Sequence, residues 1–186
     1  MSDETDPRGH LIDHLREHSV RTDGPFTLAS GEVADWYIDA RQTTFDGWGA
    51  ILVGEAVLGV IHPDVTAVGG MTLGADPIAV ATAMSAARAR RPLQSFSIRK
   101  EEKDHGTGGR LVGPVSTEDV VAVLEDTTTT GATLAQSVGV LRDGGIEVVQ
   151  AVVLVDRSDG KAGARLADLS VPLVSIVSPE ELGVTS

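Results

Sequence analysis

Two acids followed by four threonines form the densest group of reactive polar side chains in the chain: Glu125 and Asp126, then Thr127, Thr128, Thr129 and Thr130, then Gly131, Ala132 and Thr133. The residues before them, 120–124, read VVAVL, an apolar β-branched run with the composition of a buried parallel strand. From Ala132 to Leu141 apolar residues return at helical spacing. Strand, hydroxyl-rich turn and helix start are thus packed into one short segment. Backbone N–H groups in the first turn of a helix have no intrahelical acceptor, and with hydroxyls beside them they suit a phosphate. Two carboxylates would repel that phosphate unless they had another purpose, and binding ribose hydroxyls would be one. A threonine-capped helix beside solvated acids uses the same residue types and is the plain alternative.

Other segments carry chemical potential as well. Residues 69–76, GGMTLGAD, place glycines at the end of a short apolar run and before a helix, where backbone can approach an anion; a tight glycine turn is the alternative. Residues 99–110, RKEEKDHGTGGR, hold Arg99, Lys100, Lys103 and His105 with hardly an apolar group, so the segment reads as a lid or a solvated loop. The apolar run 147–155 terminates at Asp156 and Arg157, the arginine being either a site cation or a surface arginine. His10, His14 and His18 recur at i, i+4 and i+8, a spacing open to a metal or to a polar helix face.

The elements needed to position these groups alternate. Helices are expected over 8–18, 45–61, 76–88, 132–141 and 161–169, and strands over 65–68, 93–98, 120–124, 147–155 and 171–177. A small antiparallel pair is expected between 26–28 and 36–40, and residues 1–7 read as a flexible terminus. Alternation of this kind predicts an α/β fold, a central parallel sheet with helices on both faces, whose ligands bind at the carboxyl ends of the strands. The segments at 69, 99, 125 and 157 all fall at such ends.

The 186 residues suit one domain, with 41% hydrophobic content but only 3% aromatic, so Val, Ala, Leu and Ile must build the core. No run approaches the roughly 20 apolar residues of a membrane span, and the charged start is unlike a signal peptide, which predicts a cytoplasmic protein without membrane contact. A formal net charge of −12 argues against nucleic acid as a partner. With no cysteine there is no disulfide or thiolate chemistry. Lysine occurs only at Lys100, Lys103 and Lys161, and such an acidic, lysine-poor composition would suit a high-salt or high-GC source. No Gly-Lys-Ser/Thr loop or G-x-G-x-x-G is present.

The strand, two acids and T-T-T-T-G-A-T closely resemble the phosphoribosyl pyrophosphate motif of the type I phosphoribosyltransferases. The segment R-K-E-x-K-x-H-G-x-G, with the F-T-L-x-S-G stretch at 26–31, resembles the orotate phosphoribosyltransferases in particular. The resemblance covers nearly all of the chain after about residue 8. It implies one type I phosphoribosyltransferase domain over 1–186, with an N-terminal helix and hood at 8–41 and a mobile lid at 99–113. It also implies transfer of the 5-phosphoribosyl group from phosphoribosyl pyrophosphate to orotate, with magnesium, in a homodimer. Arg99, Lys100, Lys103 and His105 are then the catalytic pyrophosphate contacts, and residues 125–133 bind phosphoribosyl pyrophosphate. Thr129 and Arg157 bind orotate, and magnesium is held through pyrophosphate, with Asp126 as a further ligand. Two family lysines are not found here, Ala29 standing in place of one and the other being absent near Gly74. A phosphoribosyltransferase for another base, and a non-catalytic regulator that senses phosphoribosyl pyrophosphate, are the alternatives.

Overall fold

The computed structural model describes residues 6–27, 33–103 and 109–184. In chain order its elements are α1 (Pro7–His18), β1 (Val20–Arg21), β2 (Phe26–Thr27), β3 (Val33–Ala34), β4 (Tyr37–Ile38), α2 (Arg41–Thr44), α3 (Gly47–Leu58), β5 (Ala67–Met71), α4 (Ala75–Arg88) and β6 (Gln94–Lys103). Then follow β7 (Gly109–Val112), β8 (Val120–Thr128), α5 (Ala132–Asp143), β9 (Glu147–Asp156), α6 (Lys161–Asp168) and β10 (Leu173–Val177). The main sheet has the order β10-β9-β8-β5-β6-β7, parallel throughout except for β7, which runs antiparallel to β6.

The two-residue period of the strands divides the core. Ala122 and Leu124 of β8, with Val152 and Leu154 of β9, meet Leu52, Val53 and Val57 of α3 and Ile78 of α4 on one face. Val121, Val123, Ala151 and Val153 point the other way, onto Leu134, Val138 and Leu141 of α5 and Leu166 of α6. Small and branched side chains fill both layers, as the scarcity of aromatics requires. No helix among the described residues is long and apolar enough to cross a membrane.

Several boundaries differ from the sequence expectation for physical reasons. The chain is helical from Pro7, because the Asp6 carboxylate accepts the Gly9 N–H at 3.0 Å and proline tolerates the first helical position, so 6–7 are not part of a loose terminus. The segment around Tyr37 pairs with β1 and not with β2, with Val20 opposite Ile38. Its expected partner Phe26 lies opposite Ala34, a register that carries residues 36–40 past the end of that hairpin. Gly69 and Gly70 lie inside β5, where a Cβ would collide with the carbonyls of Phe96 and Leu124, so close strand packing by itself requires glycine at both positions. The segment 99–103 is not a loop but continues β6, with Lys103 opposite Gly109 on β7. A run of charged residues is tolerated here because β5 pairs with β6 only as far as Ile98, leaving 99–103 beside β7 alone.

Candidate active site

The strand β8 does not stop at the acids. It continues to Thr128, with Glu125 opposite Val153 and Thr128 opposite Asp156, while its pairing with β5 ends at Val123. Freed of one neighbour, the last turn of strand accommodates polar residues at the sheet's carboxyl edge. Gly131, at φ +71°, then turns the chain into α5, and a Cβ there would come within 2.8 Å of the Ala162 Cα on α6. The Thr128 hydroxyl accepts the Gly131 N–H at 3.0 Å, and the Thr130 hydroxyl accepts the Ala132 N–H at 3.4 Å. From α6, Arg165 donates through Nε to the Thr130 carbonyl at 2.7 Å.

The adjoining loop is tied to the same frame. The Arg157 N–H donates to the Thr128 carbonyl at 2.8 Å, directly linking the end of β9 to the threonine turn. The Ser158 N–H reaches Asp156 Oδ1 at 2.8 Å, and the Ser158 hydroxyl accepts the Ala162 N–H at 2.9 Å. On the other side, the turn between β5 and α4 presses against Asp126, where a Cβ on Gly74 would lie 2.6 Å from Asp126 Oδ1. In that turn the Thr72–Leu73 peptide is cis and Thr72 donates to Asp76 Oδ2 at 2.6 Å.

Burial dominates the electrostatics. It lifts the Glu125 carboxyl to about 7, with the Asp126 charge adding to the rise while the hydroxyls of Thr133 and Thr128 oppose it. Asp126 is also raised by burial, against the Thr127 N–H at 2.8 Å and the nearby charge of Arg41. Burial lowers Arg157, and among the described residues its Nε has no hydrogen-bond partner; neither does the buried Oε2 of Glu125. Buried polar atoms left unpaired are costly, and at the open end of a sheet they mark the place for a polar ligand.

Glu125 to Thr133 and Arg157 are thus brought together at the carboxyl ends of β8 and β9. Arg99 and Lys100 are not: they lie on β6, on the far side of β5 from β8. Arg99 donates to the Gly109 carbonyl at 3.1 Å and Arg110 answers to the Arg99 carbonyl at 2.9 Å, cross-bracing the β6–β7 ribbon. His105 and the Lys103 side chain lie outside the described residues, as does Ala29. Sequence reasoning missed Arg41, which is paired to Asp39 at 2.7 Å beside Asp126, and Arg165. The acid and base two residues apart after the aromatic strand were the only sign of the first. His14 bonds Thr43 Oγ1 at 3.2 Å and Asp46 Oδ1 at 3.1 Å, and no group of three metal-ligating residues converges among the described residues.

No family model matches the chain. Over 182 residues, 97% of this chain and 99% of the relative, it is 40% identical to the orotate phosphoribosyltransferase of Streptomyces coelicolor. The chain belongs to the orotate phosphoribosyltransferases. The orotate phosphoribosyltransferase of Aquifex aeolicus is 37% identical, covering 90% of this chain and 91% of that one. Among solved structures, the Mycobacterium tuberculosis orotate phosphoribosyltransferase bound to phosphoribosyl pyrophosphate superposes with a TM-score of 0.79 at 31% identity, over 96% of this chain and 99% of that one. An adenine phosphoribosyltransferase from Rhodothermus marinus, at 18% identity and a TM-score of 0.59, shares the type I fold alone.

Proposed function

We propose that this chain transfers the 5-phosphoribosyl group from phosphoribosyl pyrophosphate to N1 of orotate, releasing pyrophosphate and forming orotidine 5'-monophosphate for pyrimidine synthesis in the cytoplasm. The observation that carries this reading is the joining of the threonine turn to a half-buried arginine: Thr128 and Arg157 share a main-chain hydrogen bond of 2.8 Å. That link supports the reading because it joins the threonine turn to Arg157 at adjacent strand ends, the arrangement a phosphorylated sugar and an acidic base require.

The 5-phosphate rests on the N-terminus of α5 and the hydroxyls around it, which anchors the sugar. Glu125 and Asp126 take the ribose hydroxyls. In the reaction the bond from C1 to pyrophosphate breaks with its electron pair leaving on pyrophosphate, and orotate N1, as its anion, forms the new bond to C1. The anion has given its proton to solvent, so no protein base is needed. Positive charge growing on the sugar is favoured by the two partly buried carboxylates when ionised, and Arg99, Lys100, Lys103 and His105 balance the charge of the leaving group once the ribbon closes over it. That closure also keeps water from C1.

The donor set fits magnesium: Asp126 is a carboxylate at the mouth of the site and the neighbouring Glu125 has an unpartnered buried oxygen. Bound with pyrophosphate, magnesium supplies Lewis-acid stabilisation of the leaving group. A homodimer is supported by apolar surface on the α3–α4 layer, where Trp48, Val80 and Met84 are all more than half exposed. The test is the loss of orotate absorbance in the presence of phosphoribosyl pyrophosphate and magnesium, with uracil, xanthine and hypoxanthine as competing bases. Consumption of orotate alone supports the reading. No consumption of orotate, with turnover of another base, would overturn it.

A further inference from the structure

Trp36 and Arg157 meet from distant parts of the sequence, one in the hood and one after β9. The guanidinium carbon of Arg157 stands 4.3 Å from the centroid of the Trp36 ring. The indole is 8% exposed and belongs to the core cluster that includes Leu11 and Ile38, so its plane is set by packing. The neighbouring Tyr37 is engaged otherwise, with its ring centroid 5.9 Å from that of Phe26. Two constraints therefore act on Arg157: its main chain is bonded to Thr128, and one face of its guanidinium is covered by the indole.

A guanidinium with a covered face receives a carboxylate at its edge, in the plane that allows two parallel hydrogen bonds. The aromatic face also favours the charged form of a group that burial disfavours, so the arginine stays cationic in a dry place. Among the described residues nothing bonds the buried Nε, the sign of an edge left for another group. We propose that Trp36 is a positioning residue for base selection: it holds Arg157 edge-on to the acceptor's carboxylate and acts through the arginine, not by stacking on the base. This rests on the assignment of Arg157 to orotate made above.

A double-mutant cycle tests it, with kcat and both KM values measured for Trp36→Leu, Arg157→Ala and the pair. Loss of a desolvated cation–π contact corresponds to about a tenfold rise in the KM for orotate in Trp36→Leu, with little change in the KM for phosphoribosyl pyrophosphate. In the Arg157→Ala background the same change should cost nothing further. Trp36→Phe, which keeps a ring in that space, should fall between, and it carries the cycle if the leucine variant does not fold. Equal losses with and without Arg157 would show that Trp36 acts on the base or the hood directly and would sink the inference, as would an unaltered orotate KM in Trp36→Leu. An unaltered orotate KM in Arg157→Ala would instead overturn the assignment of the arginine, and this inference with it.

Discussion

Glu125→Gln should abolish a specific pH dependence of stability. Burial raises the wild-type carboxyl from 4.5 to about 7 in the folded protein. Below 4.5 the folded and unfolded chains both carry the proton, and there is no penalty. Between 4.5 and about 7 the unfolded chain releases a proton that the folded chain keeps, so stability falls as pH rises. Above about 7 both are ionised and the whole penalty remains. At about 1.4 kcal/mol per pH unit, the gap comes to about 3 kcal/mol. Glutamine has the same shape and no charge to lose, so whatever its amide costs is constant with pH. Thermal melts of both proteins without ligand, from pH 4.5 to 8.5, should show the variant gaining on the wild type by about 3 kcal/mol, or roughly 6–12 °C in Tm for a chain of this size. A Tm difference that stays constant across that range would refute the argument that Glu125 is held desolvated without a cation beside it. In orotate turnover the variant should fall behind the wild type mainly above about pH 7, where the wild-type carboxyl is ionised.

Lys103→Ala should lower kcat by about a hundredfold, near 3 kcal/mol, if the lysine acts mainly on the departing pyrophosphate; single-turnover measurement of orotate consumption would show this, and an unchanged rate would remove it from the chemistry. Gly70→Ala should destabilise the fold by about 3 kcal/mol or more, because its Cβ meets the main-chain carbonyl of Leu124 and not a movable side chain; denaturant unfolding measures it. Arg165→Ala removes one hydrogen bond to the Thr130 carbonyl and should lower stability by about 1 kcal/mol, roughly 2–4 °C in a thermal melt; an unmoved Tm would show that the bond does not brace the turn.

The alternation of apolar runs and helical spacing was enough to read the parallel sheet and its helices, because those signals are local and come from burial. The threonine turn was equally legible, since residue type and order there reflect one local conformation. The acids were harder: Glu125 and Asp126 look like a strand's end, and only the register with β9 shows the strand running on to Thr128. Gly69 and Gly70 suggested a ligand loop because glycine has the same signature whether a ligand or a neighbouring strand comes close. The ribbon of β6 and β7 was hidden by its charges, as the bonds from Arg99 to Gly109 and from Arg110 to Arg99 depend on pairing rather than on apolar pattern. Nor does any local signal place Trp36 against Arg157, 121 positions later in the chain.

The short helix α6 touches both halves of the site. Ala162 closes on Gly131 and donates to Ser158, and Arg165, three residues on and on the same side of the helix, holds Thr130. One helical turn thus works as a gauge block, fixing how far the threonine turn stands from the loop after β9; on the proposed reading, that is the distance from the phosphate end of the nucleotide to its base end. Such a block cannot be reset for one substrate alone. Drift in this family should therefore be freer in the hood and the ribbon, which can each adjust to one ligand, than along this single turn, where any displacement is gearing between two.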